Sequence, residues 1–184
     1  SSHGLLEANM EMFGERALPS YDFSKADVIV SINNDFLGTW ISPIEHTKQY
    51  SKTRKVSDKK KKMSRHYQFE SNLSLTGSNA DYRTPIKPSQ EGLVVANLYN
   101  EVAKRTGNST VSVTKIQVAN VSKAAEDLVA AKGKSLVVSG SNDKDVQLMV
   151  NSINEMLGNY GQTLDFANKA HYRKGDDAAF AKFL

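Results

Sequence analysis

Two short runs constrain this chain more than anything else in it: ADVIVSI at 26–32 and KSLVVSG at 134–140. Both are nearly continuous in apolar, β-branched residues. A strand with one face in water alternates in polarity, whereas an unbroken run suits a strand buried on both faces. Such strands belong to parallel sheets, whose neighbours are joined by crossover connections, usually helices. The chain supplies those helices. LVVANLYNEVA fits a helix over 90–106, with Leu93, Val94, Ala96, Asn97, Leu98 and Val102 alternating with polar positions and Gly107 ending it. A second spans 119–132, with Ala124, Ala125, Leu128 and Val129 inward. A third covers 144–157, where Val146, Met149, Val150, Ile153 and Leu157 form a stripe at helical spacing. The expected fold class is therefore α/β: a Rossmann-like three-layer domain with a mostly parallel sheet. The right-handed crossover rule then places the turns after 26–32 and 134–139 on one sheet edge.

The remaining segments fill in around this frame. Residues 3–14 read as a helix with Leu5, Leu6, Met10, Met12 and Phe13 crowding one side and Gly14 as its stop. Residues 43–50 form a short helix opened by Pro43. RHYQFES at 65–71 is a further strand, with Tyr67 and Phe69 alternating. Residues 17–24 carry turn chemistry around Pro19, 75–90 read as loop, 162–166 as a short strand and 176–183 as a terminal helix.

Charge is distributed unevenly. The chain has 24 Lys and Arg against 20 Asp and Glu, but nine of the basic residues lie within 48–65. Only Asp58 opposes them there, so this window carries +8 and the remainder −4. The pattern is that of a mildly acidic domain with one basic segment, not of a uniformly basic nucleic-acid binder. Residues 51–64 read as an exposed, mobile loop. No aromatic residue is interleaved between Lys52 and Arg65, so base stacking has no platform there. The absence of cysteine excludes disulfides, iron–sulfur ligation and thiolate chemistry within this stretch. No apolar run approaches the ~20 residues of a membrane helix.

Two polar turns follow the strong strands. SINND (31–35) and SGSND (139–143) stand where open α/β sheets bind ligands, beyond the strands' carboxyl ends. Two readings apply to each. Asp35 or Asn34 suits a ligand ribose or base, and each equally suits turn formation or capping. Ser141 and Asn142 suit phosphate at a helix N-terminus, and the same turn is an ordinary βα connection with Asn142 or Asp143 as cap. Neither turn has GxGxxG or GxxxxGK[ST] spacing. His3, His46, His66 and His171 are scattered, with no partner at metal-ligand spacing, and read as surface or packing residues. Trp40 reads as core or interface.

Three stretches, taken in order, resemble the molybdopterin oxidoreductase superfamily. YDFSKADVIVSINNDFLGTWISP (21–43) resembles its strand-and-turn approach to the pterin nucleotide. LSLTGSNADYRTPIKPSQEGLVVANLYNEVA (73–103) resembles a second family run, matched at Thr76, Ala80, Asp81, Ile86 and Pro88. GKSLVVSGSNDKDVQLMVNSINEMLGNYGQT (133–163) resembles a later strand, turn and helix, matched at Leu157, Gly158, Asn159 and Gly161. Within the superfamily, DFLGTW and MSRHYQFESNLSLTGSNADYR are most similar to the molybdopterin-like region of the large iron–sulfur subunit of bacterial alternative complex III.

This resemblance implies a non-catalytic scaffold domain, a fragment of a larger multidomain subunit in a membrane quinol-oxidising complex. It implies a peripheral location on the periplasmic side of the inner membrane, reached only through partner domains and subunits, with no nucleic acid. Iron–sulfur clusters are expected elsewhere in the parent subunit, and no cofactor in this stretch. The alternative is a fragment of an active polysulfide- or thiosulfate-reductase-like enzyme binding a molybdopterin guanine dinucleotide. The departures favour the former. The family's Pro-Gly-Thr-Asp turn reads Pro88-Ser89-Gln90-Glu91, and Ile32 stands before Asn33-Asn34-Asp35 where a glycine is expected. Asn33, Asn34, Asp35, Ser89, Glu91, Ser141 and Asn142 are then vestigial nucleotide-binding positions, with no catalytic or metal-ligating residue among them.

Overall fold

The computed structural model describes residues 2–170 and 175–184. His171 lies outside them. The elements run α1 (His3–Phe13), β1 (Leu18–Tyr21), β2 (Val28–Ile32), α2 (Pro43–Arg54), β3 (Arg65–Glu70), α3 (Leu75–Ser78), β4 (Tyr82–Pro85), α4 (Glu91–Thr106), α5 (Val121–Ala130), β5 (Ser135–Ser139), α6 (Lys144–Met156), β6 (Leu164–Ala170) and α7 (Asp177–Phe183). Short 3-10 turns at Phe23–Lys25 and Pro88–Gln90 precede β2 and α4.

Four strands form one sheet in the order β4-β3-β2-β5, and every pairing is parallel. Val28 stands opposite Arg65 on one side and Ser135 on the other, and Ile32 opposite Phe69 and Ser139. The turns after β2 and β5 therefore share an edge, as the crossover rule requires. Every residue of β2 and β5 is buried, which is why neither run alternates. Val28, Val30, Ile32, Tyr67, Phe69 and Val137 face α4, α5 and α6. Ile29, Leu136 and Val138 face the other way, against Phe23, Phe36, Tyr50 and Leu164. Fully burying one such aliphatic or aromatic side chain contributes roughly 1.5–3 kcal/mol. These are the three layers.

β5 is an edge strand, and α6 covers its free side. Asn154 Nδ2 donates to Val137 O at 2.8 Å while its Oδ1 accepts from Val137 N at 3.1 Å. One helical face further, Gln147 Nε2 donates to the Ser139 carbonyl at 3.1 Å. Two side chains seven residues apart thus satisfy backbone groups that would otherwise invite another strand. α1 lies on α6, tied to it by Asn151 Nδ2 donating to Asn9 Oδ1 at 2.9 Å.

Three expectations need correction. Residues 75–90 are not all loop, because Tyr82–Pro85 form β4, the far edge of the sheet. The strand hides in sequence because it is short, polar and ends in a proline, features an edge position tolerates. Residues 17–24 are not only a turn. Leu18–Tyr21 pair antiparallel with β6 in a second, two-stranded sheet, with a register shift between Leu18 and Ser20 that accommodates Pro19. Finally, α2 continues four residues beyond 50, so the loop begins at Lys55 rather than Ser51.

Candidate functional site

The turn after β2 begins with Asn33, which adopts a left-handed conformation (φ 44°). Asparagine tolerates this better than most residues. Its N–H donates to Phe69 O at 2.7 Å, and its Oδ1 accepts from Ser71 N at 2.9 Å. Its Nδ2 donates to Glu91 Oε2 at 3.1 Å. Glu91 opens α4, where a carboxylate favours the positive end of the helix dipole. Its other oxygen accepts from Ser139 Oγ at 3.4 Å, and Ser139 Oγ accepts from Ser141 N at 3.1 Å. Of the sequence-predicted positions, Asn33, Glu91 and Ser141 are thus joined in one chain of hydrogen bonds, linked through Ser139.

The others diverge. Asp35 turns toward α3, accepting from Thr76 N at 3.0 Å and Thr76 Oγ1 at 2.8 Å. Asn142 faces α1, its Oδ1 accepting from Gly4 N at 3.0 Å. Ser89 is exposed on the turn before α4. Asn34 is buried, and its side-chain amide has no hydrogen-bond partner among the described residues. Ile32 lies wholly in the core facing the helices, so its side chain does not occupy the strand edge. The left-handed position belongs to Asn33, one residue later.

The junction between β2 and β5, where strand order reverses and α/β folds bind dinucleotides, is closed by the chain itself. Gly140 N donates to Ile32 O at 3.0 Å, and a Cβ on Gly140 would stand 2.1 Å from the Asn33 carbonyl oxygen. Only glycine permits that approach. The N-terminus of α6 is capped internally: Asp143 Oδ1 accepts from Asp145 N and Val146 N at 2.8 and 3.2 Å, and Asp143 N donates to Ser141 Oγ at 3.2 Å. A pyrophosphate laid here would meet backbone packed on backbone, a carboxylate at Glu91 and N–H groups already engaged.

An open crevice of about 370 Å³ lies on the β2–β3 side of the same edge, lined by Asn33, Asp35, Glu70, Ser71, Ser74 and Pro88 among others. Glu70, at the end of β3, is the residue here that sequence reasoning missed. Its Oε1 accepts from Arg83 Nε at 2.5 Å, and its Oε2 accepts from Ser74 Oγ at 2.6 Å and Gln68 Nε2 at 3.1 Å. Burial works against the carboxylate, but the hydrogen bonds from Ser74, Arg83 and Gln68 outweigh it and hold its pKa below the usual value. Behind it runs a buried polar line along β3. With the Gln68 amide nitrogen committed to Glu70, Gln68 Oε1 must accept from His66 Nε2 at 3.2 Å, and His66 Nδ1 lies 3.1 Å from Tyr50 Oη, whose own proton is donated to Asn79 O at 3.0 Å. Burial lowers the His66 pKa to about 4. The signal in sequence was the second parity of RHYQFE: His66, Gln68 and Glu70 alternate with the aromatic residues and are equally buried.

His46 is also buried and packs against Phe23 and Trp40, with ring centroids 4.9 and 5.5 Å away. Burial lowers its pKa to about 4 against hydrogen bonding to the Phe36 and Trp40 backbone. Among the described residues, no group of three His, Cys, Asp or Glu could hold a metal ion, and no helix is long and apolar enough to cross a membrane.

No family model matches the sequence, and no curated protein matches it. Among solved structures, the chain is similar to one chain of the formyltransferase/hydrolase complex from Methylorubrum extorquens, crystallised with methylofuran. The TM-score is 0.50 at 12% identity, over 90% of this chain and 43% of that one. The chain thus spans less than half the length of that neighbour, and the likeness is one of fold.

Proposed function

We propose that this chain is a non-catalytic, molybdopterin-oxidoreductase-like scaffold domain of a membrane-associated, quinol-oxidising electron-transfer complex of the alternative complex III type. The observation that carries the reading is the closed β2–β5 junction. Gly140 is packed on the Asn33 carbonyl, and Glu91 is held between Asn33 and Ser139. The fold of a nucleotide-binding half is kept while its binding edge is stitched shut by the chain's own groups. Those hydrogen bonds rigidify the edge, which suits a domain whose task is to hold neighbouring domains and subunits in place. Redox work then belongs to iron–sulfur clusters carried elsewhere in the parent subunit. The three sequence stretches supply the family, and the position on the periplasmic side of the inner membrane comes with it.

The test is elemental and pterin analysis of the purified full-length parent protein, together with calorimetry of this chain against GDP. Iron without molybdenum or pterin, and no heat from GDP, is the expected result. Stoichiometric molybdenum, or micromolar GDP affinity, overturns the reading in favour of an active molybdopterin enzyme.

A further inference from the structure

The lysine-rich segment has no part in that junction; it sits at the opposite end of the sheet, between the C-terminus of α2 and the start of β3. Lys48, Lys52 and Lys55 follow one another at spacings of four and three along the exposed side of α2. The chain then makes a tight turn, Ser57 N donating to Lys60 O at 2.9 Å and Lys60 N to Ser57 O at 3.0 Å. Lys60 Nζ reaches back to the Lys52 carbonyl at 2.7 Å, folding the turn against the helix end. Residues 55–63 are exposed throughout. The seven lysines are thereby gathered on one protrusion, and none of them makes an ion pair among the described residues.

The composition of the patch selects its partner. Both arginines at its ends are engaged, Arg54 with Asp81 at 2.6 and 2.8 Å and Arg65 with Asp127 at 2.8 Å. What remains is a set of ammonium point charges without the guanidinium fork that reads phosphate or carboxylate geometry. With no aromatic residue there, nucleic-acid bases have nothing to stack on. Val56 and Met63, by contrast, stand 55% and 50% exposed on either side of the lysines. Apolar side chains beside unpaired lysines match a diffuse negative surface with an apolar layer beneath it. The −4 charge of the rest of the chain is repelled by such a surface and turns the protrusion toward it.

We propose that this hairpin and the adjoining face of α2 dock directly on an anionic lipid bilayer, the lysines among the headgroups and Val56 and Met63 at the acyl boundary. This goes beyond the scaffold reading, in which the membrane is reached only through partners, and does not depend on it.

The experiment is flotation of the whole chain with phosphatidylcholine vesicles, with and without phosphatidylglycerol, at low and high salt. Duplex DNA and polyglutamate serve as parallel baits. Binding is expected only to phosphatidylglycerol vesicles and is expected to weaken with salt. At ~5-fold per lysine, Lys59→Gln, Lys60→Gln, Lys61→Gln and Lys62→Gln together lower partitioning by roughly several hundred-fold. Val56→Ser with Met63→Ser lowers it about 10-fold and leaves the salt dependence unchanged. Circular dichroism confirms that each variant is folded, and the wild-type comparison stands without them. Equal binding to both vesicles, binding to neither, or capture by DNA or polyglutamate but not by vesicles overturns the proposal. None of these outcomes bears on the GDP and molybdenum results.

Discussion

Asn33 and Glu91 are 58 residues apart in sequence, and a 3.1 Å hydrogen bond joins them across the end of the sheet. The bond fixes the turn after β2 to the first residue of α4, and Asn33 uses its remaining polar groups on β3 and Ser71. Asn33 therefore ties three elements together at the edge where open α/β sheets bind their ligands.

Replacing that side chain separates its two contributions. Asn33→Ala loses both side-chain hydrogen bonds and places a less tolerant residue at φ 44°, and should cost about 2–4 kcal/mol. Asn33→Gly loses the bonds but relieves the backbone and should cost about 1 kcal/mol less. Urea unfolding midpoints of the two variants decide this. If Gly is no better than Ala, the left-handed backbone at 33 is not what constrains the position.

Gly140→Ala should be worse tolerated than its modest size suggests. The added methyl would stand 2.1 Å from the Asn33 carbonyl, and the atoms in its way are backbone rather than a flexible side chain. Forcing β5 and the turn after β2 apart should cost about 1–3 kcal/mol. The neighbouring Ser141→Ala, which leaves that approach intact, should lie well below it on the same denaturation scale.

How much of this was legible beforehand differs by element. β2, β5, α4 and α6 were readable because two-sided burial and helical stripes leave a direct mark on composition. β4 and β1 were not, since an edge strand needs neither continuous apolarity nor freedom from proline. The site was half legible. Asn33 and Glu91 were identifiable as residues of the edge, but nothing in the spacing says that they bond to each other or that Gly140 closes the gap beside them. Glu70 escaped because a buried carboxylate reads as exposed until its partners, Ser74 and Arg83, are seen to converge on it.

Ile32 shows how a family pattern misleads when it is taken without geometry. It stands where the resembling family has a glycine, which suggests that Ile32→Gly reopens a nucleotide site. In the structure its side chain is fully buried among the helices. Ile32→Gly should therefore remove core packing and add backbone freedom, for a loss of about 3–6 kcal/mol, and create no GDP affinity. Calorimetric GDP binding by a folded Ile32→Gly protein would contradict the closed junction.

The buried histidines predict a pH response. His46 and His66 have folded pKa values of about 4 against 6.5 for the ordinary side chain, burial being the leading cause for both. Between these values the unfolded chain binds protons that the folded one refuses. Stability should be fully present above pH 6.5 and fall as pH drops toward 4, with a slope approaching ~2–3 kcal/mol per pH unit if both contribute. His66→Gln should reduce that slope by about half. Below this window Glu70 and Asp81, whose carboxyls are held below their usual values chiefly by hydrogen bonds that outweigh burial, should add to the loss. A wild-type curve flat from pH 6.5 to 4.5 would mean that the histidines are not kept neutral by the fold.

Limited trypsin digestion tests the lysine segment without any lipid. Lys55, Lys59, Lys60, Lys61 and Lys62 are exposed, on chain that buries no side chain between 55 and 63. Arg54 and Arg65 bracket the segment but are held by Asp81 and Asp127, and each adjoins regular structure. Cleavage should therefore begin between Lys55 and Lys62 and spare both arginines. The cut divides the chain between α2 and β3, yet β2 on the first fragment pairs with β3 and β5 on the second through full parallel registers. The nicked protein should elute from a sizing column as one particle and separate only on a denaturing gel. First cutting at Arg54 or Arg65 would show that the two ion pairs do not hold the ends of the segment. Separation of the fragments without denaturant would show that the sheet contacts of β2 are too weak to hold the three layers together.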